Sequence, residues 1–164
     1  EGDDDYFGRY YTQAIGAHFG LGILFDNGGN DLHNEAESPA SSMGFAHDAS
    51  TTLFYDKEGN DLYRGGGFRG YDSGLSLFLD ESGDDSYIEC NNLGDASLGS
   101  YADVDPSIFT LGFFVDAGGT DTYELSLPEG ITAGNDQLWN WMNMPNKNPG
   151  EHGVGIDGEG ASGF

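Results

Sequence analysis

The sequence predicts an all-β fold, a parallel β-solenoid of about five irregular coils, and three observations lead to this class. A corner motif with the skeleton D-x-x-G-x-D-x-Y recurs along the chain, an apolar segment precedes each copy, and the spacing between copies is long enough for one coil. Such self-similarity with inserted loops is typical of solenoids. A β-propeller of hairpin blades is the alternative, because the same corner can serve as a hairpin loop.

The corner motif sets the limits of each copy. The shortest interval between equivalent residues runs from Tyr63 to Tyr87, and at about 3.3 Å per extended residue it suits three short strands and three turns. Half a copy opens the chain at residues 2–6 and a degraded copy closes it at 157–164. We therefore interpret residues 1–164 as a single repeat domain and a segment of a longer repeat array. The complete copies lie at residues 26–33, 56–63, 80–87 and 116–123.

The segment before each corner is apolar on both faces of a strand, which is typical of strands buried on both sides. One face carries what we call the strand pairs, and the other carries the Phe row. We expect the strand pairs inside and the Phe row outside, as an apolar stripe that another segment or another chain must cover. The strand pairs are Ile23/Phe25, Leu53/Tyr55, Leu77/Leu79 and Phe113/Val115, and the Phe row is Leu24, Phe54, Phe78 and Phe114.

A weaker repeat precedes the strands at residues 13–16, 43–46 and 67–70, and we interpret it as another corner. With the corner motif it gives units of the form Q-G-x-G…G-x-G-x-L-x-D-x-x-G-N-D-x-Y. The chain resembles bacterial repeat proteins of uncharacterised activity that are built from such units. The resemblance covers residues 13–87 well, residues 111–123 partly, and later residues hardly. It implies a repeat fold and export from the cytoplasm, and it implies no activity.

The Gly-Asn-Asp-Leu stretches at residues 29–32 and 59–62 are also similar to fragments of the calcium-binding nonapeptide of repeats-in-toxin proteins. This chain lacks the nine-residue period of that family. The calcium geometry of the family therefore cannot be transferred to it.

The two aspartates of each corner would form columns in a stack of copies, with rungs about 4.8 Å apart. Neighbouring carboxylates repel at this spacing, and the chain has only five basic residues against 29 acidic ones. Carboxylates in this arrangement favour Ca²⁺, although capping of tight turns without metal is an open alternative. The candidate calcium ligands are the first Asp column, Asp26, Asp56, Asp80 and Asp116, and the second Asp column, Asp31, Asp61, Asp85 and Asp121.

An aromatic residue ends each corner. Like residues at one position of a stack lie one rung apart, and aromatic pairs gain about 0.5–1.5 kcal/mol beyond burial. We expect these rings to stack on one another. The ring column consists of Tyr6, His33, Tyr63, Tyr87 and Tyr123.

The formal net charge of −24 limits the partners of the chain. Nucleic acid and anionic lipid both require a basic surface, so neither is expected to bind. No apolar run is long enough to insert into a membrane. We expect a bacterial location that is extracellular, on the cell surface or periplasmic, and we expect other protein chains as partners in an oligomer, filament or surface complex.

The insertion at residues 127–151 differs from the repeats in composition. Trp139 and Trp141 lie close together in it, so it is either a carbohydrate-binding loop or a cap over one end of the stack. Residues 136–144 are the one segment with a helical pattern, and Asn135 or Asp136 would cap that helix.

Two functions remain open at this point. The first is a non-catalytic structural or adhesive module that calcium stabilises. The second is a polysaccharide-acting enzyme on the same scaffold. His18, Asp48 and Asp72 each lie eight residues before a corner and would form its centre, with His47 adjacent. Such an enzyme needs a basic group near its acidic cluster, and only Arg64 and Arg69 lie near in sequence.

Overall fold

The fold is all-β over the residues that the structure describes. Their strands form three sheets, and none of these residues lies in a helix. This part of the chain therefore contains no helix that could span a membrane. The structure is a computed structural model that describes residues 2–34, 42–98, 109–142, 144–145, 147 and 149–158.

The corner sheet is formed by the ends of the corner motifs. All of its pairings are parallel, and neighbouring strands come from consecutive copies. Tyr87 lies opposite Tyr63 on one side and Tyr123 on the other. The strands are β1 (Asp5–Tyr6), β4 (Leu32–His33), β7 (Leu62–Arg64), β10 (Ser86–Ile88) and β13 (Thr122–Glu124).

The short sheet contains the weaker repeat. This repeat was expected to be a corner. Its second and third copies lie instead in strands that pair in parallel, whereas Gln13 and Ala14 of the first copy form a bend with positive φ just before the strand at Gly16. Gly16, Ala46 and Gly70 are in register. The strands are β2 (Gly16–Ala17), β5 (Met43–His47), β8 (Gly67–Tyr71) and β11 (Ala96–Ser97).

The long sheet contains the apolar segments that precede the corners. Its strands pair in parallel except for β14, which is antiparallel to β15. The register places Asp56 opposite Asp80, Asp80 opposite Asp116, and Asp116 opposite Asp157. The strands are β3 (Leu21–Phe25), β6 (Thr51–Asp56), β9 (Leu75–Asp80), β12 (Thr110–Asp116), β14 (Leu138–Asn140) and β15 (Glu151–Asp157).

The corner does not close a hairpin. Strands β6 and β7 lie on either side of residues 57–61, and they belong to different sheets. Each pairs with its counterpart in the neighbouring copy instead. This parallel pairing between copies differs from the antiparallel blades of a propeller.

The interior is filled by aromatic rings, and it contains the Phe row. Phe54, Phe78 and Phe114 are fully buried, so the expectation that this row faces outward is wrong. The stacking of the ring column is confirmed: neighbouring ring centroids lie 4.7–5.1 Å apart along the column. The Phe row packs edge-on against this column, as Phe54 does on Tyr63 and Phe78 does on Tyr87. Two aromatic columns thus share one core.

The strand pairs face outward. Ile23, Phe25 and Phe113 are 49%, 59% and 37% exposed, which reverses the orientation expected from the sequence. The first corner Asp lies two residues after the Phe, so both side chains point to the same face. That face is the inner one because the buried hydroxyls of the ring column bond to these aspartates, as Tyr87 does to Asp116. We call the outward side of the long sheet the apolar face. It is defined by the strand pairs and by Val154 and Ile156 of β15, which continue them.

A glycine column runs along the corner, formed by Gly29, Gly59, Gly83 and Gly119. A Cβ atom on Gly83 would overlap the carbonyl oxygen of Gly59, and one on Gly119 would overlap that of Gly83. Gly83 also has a φ of 155°, which other residues rarely adopt. The close stacking of the corners therefore requires glycine here.

The insertion at residues 127–151 covers the end of the core. The helix expected over residues 136–144 is wrong, because Leu138–Asn140 is the strand β14. Trp139 and Trp141 are each 3% exposed, and both indole N–H groups donate to the Leu93 carbonyl. Both rings belong to the core at this end, and Trp141 also lines a surface cavity together with Asn91 and Lys147.

Candidate functional site

The two Asp columns lie side by side within the corner, and most of their side chains are inside the protein. Asp56, Asp80 and Asp116 of the first column have no exposed surface, and Asp61 and Asp85 of the second are 2% and 1% exposed. The strand register aligns the first column, and the parallel corner sheet aligns the second. Burial of charged carboxylates is costly unless a partner, a proton or a cation compensates them.

Three of the four residues of the first Asp column cap their own turns, whereas Oδ1 of Asp56 is buried without a hydrogen-bond partner. Oδ1 of Asp26, Asp80 and Asp116 accepts a hydrogen bond from the backbone N–H two residues later, at 3.0, 3.2 and 3.3 Å. This is the local turn interaction expected of aspartate. Capping therefore accounts for one oxygen of each of these carboxylates.

The other oxygen of the first column accepts from the ring column. The Tyr87 hydroxyl donates to Asp116 Oδ2 at 2.7 Å. The Tyr63 hydroxyl lies 2.8 Å from Asp80 Oδ2 and 3.0 Å from Asp56 Oδ2. A phenol has a single proton, so it can donate to only one of these two carboxyls. The other needs a further partner, a proton or a cation, and for Asp56 the buried His33 Nε2 lies 3.8 Å from Oδ2.

The second Asp column bonds between copies. Asp31 N–H donates to Asp61 Oδ1 at 2.6 Å, and Asp61 N–H donates to Asp85 Oδ1 at 2.7 Å. The pattern continues until Asp121 N–H, which donates to Asn135 Oδ1 at 2.8 Å. Asn135 belongs to the insertion and takes the position of a column member. An uncharged amide is therefore sufficient for this backbone contact.

The second oxygen of each member of the second Asp column has no partner. These atoms are buried and accept no hydrogen bond, although each is next to a paired Oδ1. An unpaired buried carboxylate oxygen costs free energy that the backbone contact does not recover. The atoms are Oδ2 of Asp31, Asp61, Asp85 and Asp121.

Burial and mutual repulsion favour the protonated form of these carboxyls. The pKa of Asp61 is raised to about 7 and that of Asp85 to about 10, in both cases first by burial and then by neighbouring aspartates. Burial likewise raises the pKa of Asp116 to about 7 and that of Asp121 to about 6. The pKa of Asp80 is also raised, by burial and by Asp116. Without a cation, several of these groups hold protons near neutral pH.

Carboxylates from both columns meet in groups of three. One such group is Asp61, Asp80 and Asp85, in which one oxygen of each residue lies within 4.8 Å of the others. Two oxygens bound to the same Ca²⁺ are at most about 5 Å apart, since each bond is about 2.3–2.6 Å. The groups therefore fit this ion. The others are Asp4/Asp26/Asp31, Asp31/Asp56/Asp61 and Asp85/Asp116/Asp121.

Sequence reasoning did not assign three residues of this site. Asp4 completes the first group, and the opening half-copy of the motif contains it. Asp157 continues the first Asp column and accepts a hydrogen bond from the Tyr123 hydroxyl. Asn135 ends the second column, and no repeat pattern indicated it.

The histidine cluster forms a separate site on the short-sheet side. His18 Nδ1 lies 2.8 Å from Asp48 Oδ2, and His47 Nδ1 lies 3.1 Å from the same oxygen. His47 Nε2 faces Asp72 at 3.7 Å. The two nitrogens of His47 thus face two different carboxylates, and an ion can bind only one of them. One ligand atom from each of His47, Asp48 and Asp72 lies within 4.8 Å of the others, so these three residues are close enough to share a metal ion.

Arg69 is the basic group nearest to this cluster along the short sheet. Its guanidinium lies 4.0 Å from Asp95 and over the rings of Phe45 and Tyr71, at 5.2 and 5.0 Å. Tyr71 in turn stacks on His47, with ring centroids 5.3 Å apart. Arg64 lies on a different sheet.

Comparison with known proteins gives no relative. No family model, no curated protein and no solved structure matches this chain. The functional reading therefore depends on the geometry of the chain itself.

Proposed function

We propose that this chain is a calcium-stabilised β-solenoid of about five irregular coils that works as a non-catalytic structural or adhesive module outside the cytoplasm. The observation that carries the proposal is the row of buried, unpartnered carboxylate oxygens in the second Asp column. A catalytic group must be accessible to substrate, and these groups are not. Their position suits a role in stability.

The solenoid assignment is supported by the order of strands in the three sheets. Successive copies contribute neighbouring strands to the corner sheet and the long sheet, and the pairings between copies are parallel. One turn of the chain passes through all three sheets, as Leu75–Asp80, Ser86–Ile88 and Ala96–Ser97 do. In a solenoid, each residue type of the corner motif recurs at the same position of every coil.

Calcium is favoured over turn capping alone by the contrast between aspartate and Asn135. If backbone capping were the only role, an amide would serve at every rung as it does at Asn135. The four preceding rungs have carboxylates, each with a second oxygen that no protein donor reaches. Ca²⁺ would be held by these oxygens and by the first Asp column, and it would compensate their charge. Millimolar calcium outside cells suits modules of this kind.

Calcium is expected to raise the thermal stability of the chain. A ligand that binds only the folded state adds about 2.7 kcal/mol at a hundredfold excess over its Kd, which is about 5–11 °C for a domain of this length. Thermal melts followed by circular dichroism in EDTA and then in millimolar CaCl₂ measure this shift. Equal midpoints in both buffers would leave turn capping as the role of the columns.

A matched pair of variants tests where calcium binds. Asp85→Asn keeps the Oδ1 acceptor for Asp61 N–H and removes a buried carboxyl that could bind Ca²⁺, whereas Asp84→Asn changes the exposed neighbour in the same corner. We expect Asp85→Asn to reduce the calcium-dependent shift clearly and Asp84→Asn to leave it nearly intact. An equal reduction by both variants would indicate binding to the general negative surface instead.

A polysaccharide-acting enzyme is the second candidate, and the histidine cluster favours it. His18 and His47 lie 2.8 and 3.1 Å from Asp48 and are accessible, and Asp72, which is only 2% exposed, lies behind His47 and would orient it. If this candidate is right, the chain cleaves pectin-like or alginate-like polymers, and Asp72→Asn abolishes cleavage without changing the melting temperature. Lack of cleavage of such polymers by the unaltered chain, in the presence of calcium, would exclude it.

A further inference from the structure

The apolar face is the largest departure from ordinary surface chemistry in the described part of the chain. Ile23, Leu53, Leu77, Phe113 and Val154 form its central row, one residue from each parallel strand of the long sheet. Ile23 and Phe113 are 49% and 37% exposed in this row. Contiguous apolar patches of this kind on a protein surface mark interaction sites.

The arrangement of strands also indicates a covered face. Sheets of parallel strands are usually buried on both sides, and their strands are apolar on both sides for that reason. The inner side of the long sheet packs on the ring column, as Phe54 does on Tyr63. The outer side has the same apolar composition, but the described residues place no layer over it.

The charge distribution indicates that the partner of the apolar face is a second copy of this chain. The chain has a formal net charge of −24, so two copies repel wherever their carboxylates meet. The outward positions of β3, β6, β9, β12 and β15 include no Asp, Glu, Lys or Arg. Two copies can therefore meet on the central row of this face without bringing charged groups into contact, and the acidic group beside the Tyr55 hydroxyl, Glu81, lies at the corner edge of the face.

The area of the apolar face is sufficient for a dimer interface. Five strands at about 4.8 Å and six residues at about 3.3 Å give a rectangle of about 24 by 20 Å, or about 500 Å² for each copy. A pair thus buries about 1,000 Å² or more once side-chain relief is included, which reaches the lower limit for a specific interface. Two sheets packed face to face, about 10 Å apart, are a common arrangement.

We propose that the apolar face binds the same face of a second copy of this chain, which gives a two-fold symmetric dimer with the corner sheets on its outside. This inference rests on the proposed structural role, together with the expectation from the sequence that the chain binds other protein chains, and it names the surface and the partner. The contact is isologous, so each residue of the central row meets the same row of the partner copy. Salt screens the repulsion between two acidic bodies, so the dimer becomes tighter as ionic strength rises.

The test is the oligomeric state of matched variants in calcium buffer. Sedimentation velocity at tens of micromolar compares the unaltered chain, the double variant Leu77→Thr/Phe113→Thr, and the control Tyr10→Thr. Threonine keeps a high strand propensity, and Tyr10 is a 68% exposed aromatic outside the long sheet. We expect a dimer for the unaltered chain and the control, and at least tenfold weaker association for the double variant.

A second measurement does not depend on the folding of the double variant. Leu77→Cys with a short bismaleimide should give a cross-linked dimer, whereas Tyr10→Cys should not, and the native Cys90 is buried. If the double variant dimerises as tightly as the unaltered chain, or if Tyr10→Cys cross-links as well as Leu77→Cys, the apolar face is not the contact surface. The chain would then still be a dimer, through another surface. If the unaltered chain is a monomer at this concentration, both the proposed contact face and the dimer itself are wrong. The same conclusion holds if that monomer co-sediments with phosphatidylcholine vesicles. The calcium-dependent melting shift is measured separately and survives either failure.

Discussion

Replacement of Tyr63 by Ala is expected to lower the free energy of unfolding by about 3–5 kcal/mol, the range for large aromatic side chains removed from a core. Tyr63 is fully buried between the rings of His33 and Tyr87, with centroid distances of 4.8 and 5.1 Å. Its removal leaves a cavity in the middle of the ring column. It also removes the donor that faces Asp56 and Asp80.

Tyr63→Phe separates these two contributions. The ring remains, so only the hydroxyl contact with the two carboxyls is lost, and we expect about 1–3 kcal/mol. Urea denaturation at fixed pH and fixed calcium measures both variants. Tyr10→Ala serves as the control, because this exposed side chain should change stability by at most about 0.5 kcal/mol. A loss below about 1 kcal/mol for Tyr63→Ala would show that the ring column is not a major part of the core.

In EDTA, the chain is expected to melt at a higher temperature near pH 5 than near pH 8. Asp121, Asp61 and Asp85 have pKa values of about 6, 7 and 10 in the folded state, raised mainly by burial, against about 3.9 when unfolded. Between about pH 4 and these values the folded state binds more protons than the unfolded state. Its stability therefore falls as the pH rises through the folded-state values.

Calcium should oppose this trend, because the ion and the protons compensate the same carboxylates. Melting temperatures from about pH 5 to pH 8, with EDTA and with calcium, measure both effects. Asp85→Asn removes the group with the highest of these pKa values, so it should flatten the slope in EDTA, and Asp84→Asn should not. A melting temperature that rises from about pH 5 to pH 8 in EDTA would show that the buried carboxyls are already compensated in another way.

The alignment of the copies could be predicted from the sequence because the same residue types recur at the same positions of the corner motif. The ring column could be predicted from the positions of the aromatic residues in the corner motifs alone, and the stacking of its rings is confirmed. Hydrophobicity alone could not decide which face of each strand points to the core and which points outward, since both faces are apolar. The position of Asp56 relative to Phe54 contained the answer, but aspartate is rarely buried, so its side chain was not expected to mark the interior.

The candidate site was predictable where its residues repeat, and unpredictable where they do not. Both Asp columns follow from the corner motif, and their alignment follows from the register of the sheets. Asn135 and the capping role of Trp139 depend on contacts between the insertion and distant residues. No local pattern encodes such contacts. The sequence therefore leaves a carbohydrate-binding loop and a cap as open alternatives, and the burial of Trp139 in the core supports the cap.

Two rows of side chains at the corner link each copy to its neighbours, and the hydrogen bonds of the two rows run in opposite directions. In the exposed row, Asn60 accepts from the Asp84 N–H of the following copy, at 2.8 Å. In the second Asp column, Asp85 accepts from the Asp61 N–H of the preceding copy. Each copy thus presents the same pair of contacts on its two sides. A duplication or deletion of one whole copy would leave every remaining corner paired, so descendants of one ancestral gene could differ in length by single copies without redesign of the fold.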